Sequence, residues 1–164
     1  MITTLGTGGG LVIDLPDPSS IVAKLNKLMS PTYIERLLDA IGALVESQTK
    51  RRIRNEKADP AGDRWVPWSD DYAEKRPAGK SLLEDEGNLL TSITHESHTA
   101  GFGDNYVEVG SNLVYAAVHN YGATFSIVSN HAEIKIPKRQ FLGLSLENES
   151  AVDKLVADFV GELI

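Results

Sequence analysis

Residues 30–55 read SPTYIERLLDAIGALVESQTKRRIRN, and this stretch decides the architecture. Ser30 is a good helix N-cap and Pro31 suits the first helical position. Beyond them Ile34, Leu37, Leu38, Ile41, Leu44 and Val45 recur at three- and four-residue spacing and form one apolar stripe. Continued to about Asn55, the helix is roughly 35–38 Å long at 1.5 Å per residue. Glu35 and Asp39 occupy its first turns, and Lys50, Arg51, Arg52 and Arg54 its last. That polarity complements the helix dipole.

Toward the N-terminus, Asp17-Pro18 opens a shorter helix with Val22, Leu25, Leu28 and Met29 at three and four. Residues 1–16 read as a flexible arm because of Gly6-Thr7-Gly8-Gly9-Gly10, with a short strand over Leu11 to Leu15. A phosphate loop in those glycines fails on register. Gly-x-Gly-x-x-Gly starting at Gly6 or Gly8 needs glycine where Leu11 or Ile13 stands, and no Gly-Lys-Ser/Thr follows.

Toward the C-terminus, residues 56–87 form a long irregular loop containing Pro60, Gly62, Pro67, Pro77, Gly79 and Gly87. Loops beyond about 12–15 residues are uncommon unless functional or disordered. Disorder is disfavoured, because Trp65 and Trp68 both fall here, with Tyr72 close by, and such rings seek buried contacts. Ser92 to His98 and Tyr106 to Val109 read as a hairpin around Gly101 and Gly103, with Val107 and Val109 on one face. Leu113 to Asn120 reads as a short helix ended by Gly122. Phe125 to Val128 and Glu133 to Ile136 read as a second hairpin around Ser129-Asn130-His131. Val152, Leu155, Val156, Phe159, Val160, Leu163 and Ile164 mark a final amphipathic helix, for packing on the sheet or against another subunit. The expected fold is α+β. N-terminal helices and a C-terminal helix pack on a small antiparallel sheet in one domain, residues 17–164.

Composition narrows the function classes. Sixteen basic against 23 acidic residues give a net charge of −7, unlike a protein built mainly to bind nucleic acid. There is no cysteine, which excludes disulfides, Cys-ligated metal and thiol catalysis and fits a reducing compartment. Met1 to Gly10 lacks a basic start, so no secretory signal is expected, and no apolar run is long enough to span a membrane.

A search for chemistry returns little. His95 and His98, three apart on a strand, point to opposite faces, and His119 and His131 are isolated, so no metal site is expected. Tyr115 and His119 are neighbours on the short helix, as an acid–base pair or a hydrogen-bonded structural pair. Asp70-Asp71 and Glu84-Asp85-Glu86 read as solvated loop charge, and a hydrolase using His119 with Asp70 or Asp71 is the weakest reading. The run Lys50, Arg51, Arg52 and Arg54 is the one candidate for DNA contact, which salt-dependent binding would mark.

Three stretches carry a family likeness. The first is Arg51-Arg52-Ile53 leading through Pro60-Ala61-Gly62 to Trp65-Val66-Pro67-Trp68-Ser69, and on to Gly87-Asn88-Leu89-Leu90-Thr91-Ser92-Ile93. The second is Tyr115-Ala116-Ala117-Val118-His119-Asn120-Tyr121-Gly122. The third is Ile136-Pro137-Lys138-Arg139-Gln140-Phe141-Leu142-Gly143-Leu144. In their order and spacing the chain resembles the phage virion morphogenesis family, the tail completion proteins of Mu-like and related contractile-tailed phages. Lys138 and Gln140 stand where Ala and Pro are commoner in that family.

The resemblance implies a non-enzymatic virion component without cofactor, acting as tail terminator or neck piece where tail meets head. It implies a ring-like homo-oligomer, a hexamer among the options, with the tail tube, the tail terminator and the head connector as partners. The site would be host cytoplasm during assembly, then the virion; a head–tail connector adaptor is the alternative. Interface cores favour Trp, Tyr, Phe and Arg. Trp65, Trp68, Tyr72, Arg139, Phe141 and Leu142 are therefore the expected contact anchors, braced by Tyr115 and His119. The plain alternatives are core packing for Phe141 and Leu142 and an intramolecular flap for the tryptophans.

Overall fold

The computed structural model of the chain describes residues 2–5, 11–13, 17–76, 78–100, 104–127 and 132–162. Strands β1 (Ile2–Leu5) and β2 (Leu11–Ile13) pair antiparallel. The strand expected after Leu11 is described over Leu11–Ile13, with Ile2–Leu5 as its partner. The glycine run Gly6–Gly10 lies outside the described residues.

Helix α1 (Pro18–Leu28) starts where Asp17 accepts a hydrogen bond from the Ser19 amide. Helix α2 (Pro31–Arg51) starts where the Ser30 hydroxyl accepts from the Tyr33 amide. Its stripe continues past Val45 through Gln48 and Thr49, both buried, into a π-helical turn over Arg52–Glu56. Lys57, at φ 52°, ends that turn by donating its amide to the Arg52 carbonyl.

The ribbon of β3 (Ile93–His98) and β4 (Tyr106–Ser111) lies under α2. Their register pairs His95 with Val109 and Ser97 with Val107, so odd-numbered residues share the face toward the helix. His95 and His98 do fall on opposite faces. His98 stacks on its register partner Tyr106 with ring centroids 4.6 Å apart. The expected hairpin residues Gly101 and Gly103 lie outside the described residues.

Helix α6 (Leu146–Gly161) runs beside α2. The Tyr33 and Phe159 rings meet at 4.7 Å, and the Tyr33 hydroxyl donates to the Phe159 carbonyl. The helix begins earlier than its apolar stripe, at a reciprocal cap between Ser145 and Asn148. Leu163 and Ile164 lie outside the described residues.

The short helix α3 (Asp70–Lys75) interrupts the long middle segment, and α4 (Asn88–Ser92) follows it. Helix α5 (Val114–Tyr121) ends at Gly122, φ 76°, and leads into the hairpin of β5 (Ala123–Ile127) and β6 (Ala132–Ile136). Ser129-Asn130-His131 lies outside the described residues. The fold is α+β, but its strands form three separate two-stranded antiparallel ribbons rather than one small sheet. The core sits where α2's end, α4, β3, α5 and the segment after β6 converge. Ile53, Trp65, Leu89, Leu90, Ile93, Ala116 and Phe141 fill it.

Candidate interaction surface

After β6 the chain runs through Pro137–Ser145 without helix or strand, so its backbone groups must find partners elsewhere. Side chains supply them. Arg52 donates from one terminal nitrogen to the carbonyls of Phe141 and Gly143, both at 2.8 Å, and from the other to Asn148 Oδ1 at 2.7 Å. Asn120 Oδ1 accepts from the amides of Phe141 and Leu142, both at 3.0 Å. The Trp65 indole donates to the Gln140 carbonyl at 3.0 Å. Arg139 reaches back to the carbonyls of Val66 at 2.9 Å and Pro67 at 3.1 Å. Gly143, at φ 128°, sits so close to Pro60 that a Cβ would lie 2.9 Å from Pro60 Cγ.

This strap corrects several expectations. Phe141 is fully buried, and Trp65 and Arg139 are only 6% exposed, so all three anchor the strap within the chain. Leu142 is half-buried against the same core. Arg52 is 2% exposed and cannot meet a phosphate; burial pushes its pKa down, and its fork is spent on the strap. Of the remaining basic run, Lys50 pairs with Glu46, Arg51 with Glu56 and Glu147, and Arg54 lies 3.8 Å from Glu84. Lys50, Arg51 and Arg54 still line one open depression together with Glu46 and His95, with carboxylates close to each, while Arg52 is turned inward.

The other expected residues do come together. Trp68, Tyr72, Tyr115 and His119 line one open cleft of about 560 Å³, with the Arg139 side chain at its floor. Trp68 and Tyr72 meet at 6.0 Å, and the Arg76 guanidinium lies over the Trp68 ring at 3.5 Å, within cation–π range. The Tyr115 ring meets His119 edge-on at 6.1 Å, a packing contact rather than a hydrogen-bonded pair. Burial first, and the Arg139 charge second, hold His119 below the ordinary imidazole pKa, so it is neutral at pH 7. Its Nδ1 and one Arg76 terminal nitrogen are buried without a hydrogen-bond partner. Lys80 at the rim is bound to Asp85 at 2.7 Å.

Such a wall can bind and orient another group. The pairing of His119 with Asp70 or Asp71 does not form: both aspartates are exposed on α3 and neither lines the cleft, whose carboxylates are those of Glu84, Asp85 and Glu86. Among the described residues no three His, Cys, Asp or Glu side chains cluster to hold a metal; His131 lies outside them. Sequence reasoning missed Asn120 and Arg76. Asn120 adjoins His119 in the second family-like stretch, and Arg76 stands four residues beyond Tyr72. Among the described residues no helix is long and apolar enough to cross a membrane.

Protein G of Escherichia phage Mu, named for capsid assembly, is 26% identical over 140 residues, covering 83% of this chain and 85% of its own. The Mu-like prophage FluMu G protein 1 of Haemophilus influenzae is 26% identical over 151 residues, 90% of this chain and 93% of its own. FluMu G protein 2 of the same organism is 33% identical over 96 residues, 54% of this chain and 64% of its own. No solved structure matches significantly. The profile of one family matches residues 18–161, which span α1 to α6 and include the strap and the cleft. The chain belongs to the phage virion morphogenesis family.

Proposed function

We propose that this protein completes the phage tail and joins it to the head, as tail terminator or neck component, working through contacts in a ring-like homo-oligomer. Family membership supports a structural assembly role. The observation that carries the finer reading is the cleft. Exposed Tyr72 and Tyr115, Trp68 and the stacked Arg76 make the mix of aromatic and guanidinium groups that interface cores favour. The protein has no turnover of its own; its product is a joint between polypeptides. DNA contact is confined to the outward cations Lys50, Arg51 and Arg54.

The experiment is complementation of a phage lacking this gene with a Trp68→Ala/Tyr72→Ala double variant. Both side chains lie at the surface of the cleft, so the variant folds, as circular dichroism melting checks. Heads and tails are expected to accumulate separately. Joined particles at wild-type yield would overturn the reading. The capsid-assembly name of the Mu relative favours a second reading, a connector adaptor on the head side. Gold labelling in electron micrographs separates the two: label on the head-proximal end of free tails supports the first, label on tailless heads the second.

A further inference from the structure

We infer that the apolar face of the β5–β6 hairpin of one copy seats on the exposed apolar stripe of α1 in the next copy of this chain. The inference deepens the oligomeric reading above and rests on it.

The hairpin register pairs Phe125 with Ile134 and Ala123 with Ile136, so apolar residues gather on one face. Thr124, paired with Lys135, takes the other. Phe125 is 46% exposed and Ile134 49%. A two-stranded hairpin is marginal in water unless its apolar side packs on something. Helix α1 has the converse problem. Ile21, Val22, Leu25 and Met29 mark its apolar side at helical spacing, and each is 46–54% exposed. A helix normally buries its stripe, and helix on sheet is one of the few stable layerings.

Area argues for one occupant. A standard interface buries about 800 Å² per partner, a little over half of it apolar. The exposed part of the four α1 side chains amounts to roughly 400 Å², near that apolar share and the size of the largest apolar patch on a typical monomer, which is often functional. Phe125 and Ile134 expose roughly half as much, and Tyr121, 70% exposed, precedes the hairpin by two residues. The chain thus carries two half-exposed apolar patches, one on a helix and one on a two-stranded ribbon, the layering that stable folds use. Since they lie on different elements, each copy presents one to each neighbour. That contact is head-to-tail, the kind that builds a ring when the rotation between copies closes and an open filament when it does not.

The absence of cysteine makes the test clean. Leu25→Cys and Ile134→Cys proteins are purified separately, mixed, and treated with a short bismaleimide, with native mass measurement in parallel. Both positions are half-exposed, so both variants fold. A covalent dimer is expected from the mixture and not from either variant alone. A third variant, Phe125→Asp, is expected to weaken self-association about tenfold or more. Oligomers that form without the mixed cross-link overturn this contact but spare the oligomeric reading. A cross-link in Ile134→Cys alone overturns it in favour of hairpin-on-hairpin pairing. Monomers at every concentration overturn the oligomeric reading itself, and this contact with it.

Discussion

Gly42 of α2 lies so close to His95 of β3 that a Cβ at Gly42 would stand 2.5 Å from the imidazole Cδ2 and 2.8 Å from Val107 Cγ2. The glycine lets the helix backbone rest on the ribbon. The ring beneath it has little room to move, because Glu46 and Asp39 hold its two nitrogens at 2.6 and 3.2 Å. Gly42→Ala gains about 1 kcal/mol of helix propensity but overpacks the contact by about 1–3 kcal/mol. We expect a net loss of stability in urea unfolding, and a several-fold larger one for Gly42→Leu. An unchanged midpoint for both would show that α2 can lift without penalty.

The same imidazole gives the fold a pH window. The hydrogen bond to Glu46 is the largest influence raising the His95 pKa above its ordinary 6.5. Lys50 first, and His95 after it, lower the Glu46 pKa below its ordinary 4.5. A raised histidine contributes stability that is complete below about 6.5 and fades as pH rises through the folded value. A lowered carboxyl contributes stability present above about 4.5 and lost as pH falls through its folded value. The α2–β3 contact is therefore strongest between these limits. In His95→Gln, thermal unfolding should lose the decline on the alkaline side, while the acid-side decline from Glu46 and Lys50 persists.

Arg52 is a strut rather than a ligand for DNA. Its guanidinium touches two carbonyls and one amide oxygen of the strap and cap, with Glu56 at 3.8 Å. Arg52→Met keeps the stem but leaves those acceptors unpaired, for an expected cost of about 3–5 kcal/mol in chemical denaturation. Arg52→Lys should recover only part of it, because one ammonium cannot span the fork's three acceptors. Arg54→Ala, at a 63% exposed side chain, should change stability by less than about 0.5 kcal/mol.

Much of this was legible in the residues, and the failures have physical causes. Caps at Asp17 and Ser30, the strand faces at Val107 and Val109, and the stop at Gly122 are local signals, and all stand as expected. Arg52 was legible in principle. The stripe of Ile41 and Val45 continues by three and four to Gln48, Thr49 and Arg52, but a cation at a helix end has a ready surface explanation. Trp65 and Trp68, three apart on irregular chain, part company: Trp65 joins the core and Trp68 lines the cleft. Which one is inward depends on Gln140, 75 positions away, whose carbonyl takes the indole hydrogen bond. The cleft was unreadable for the same reason, since α5 brings Tyr115 and His119 to a loop more than 40 residues earlier in the chain.

Asn120 supplies the sharpest test of the strap. Its single side-chain oxygen serves the amides of two consecutive residues, Phe141 and Leu142, in a place 1% exposed. Asn120→Leu fills similar space but strands both donors away from water, for an expected loss of about 2–4 kcal/mol. Phe141→Ala empties the core beneath, for about 3–5 kcal/mol. If the strap is one cooperative unit, the two losses share a cause: once Phe141 no longer pins the chain, its amides can turn toward water and the asparagine matters less. The double variant should therefore fall short of the sum by about 1 kcal/mol or more. Strict additivity in a denaturant double-mutant cycle would mean that Asn120 and Phe141 hold the strap independently.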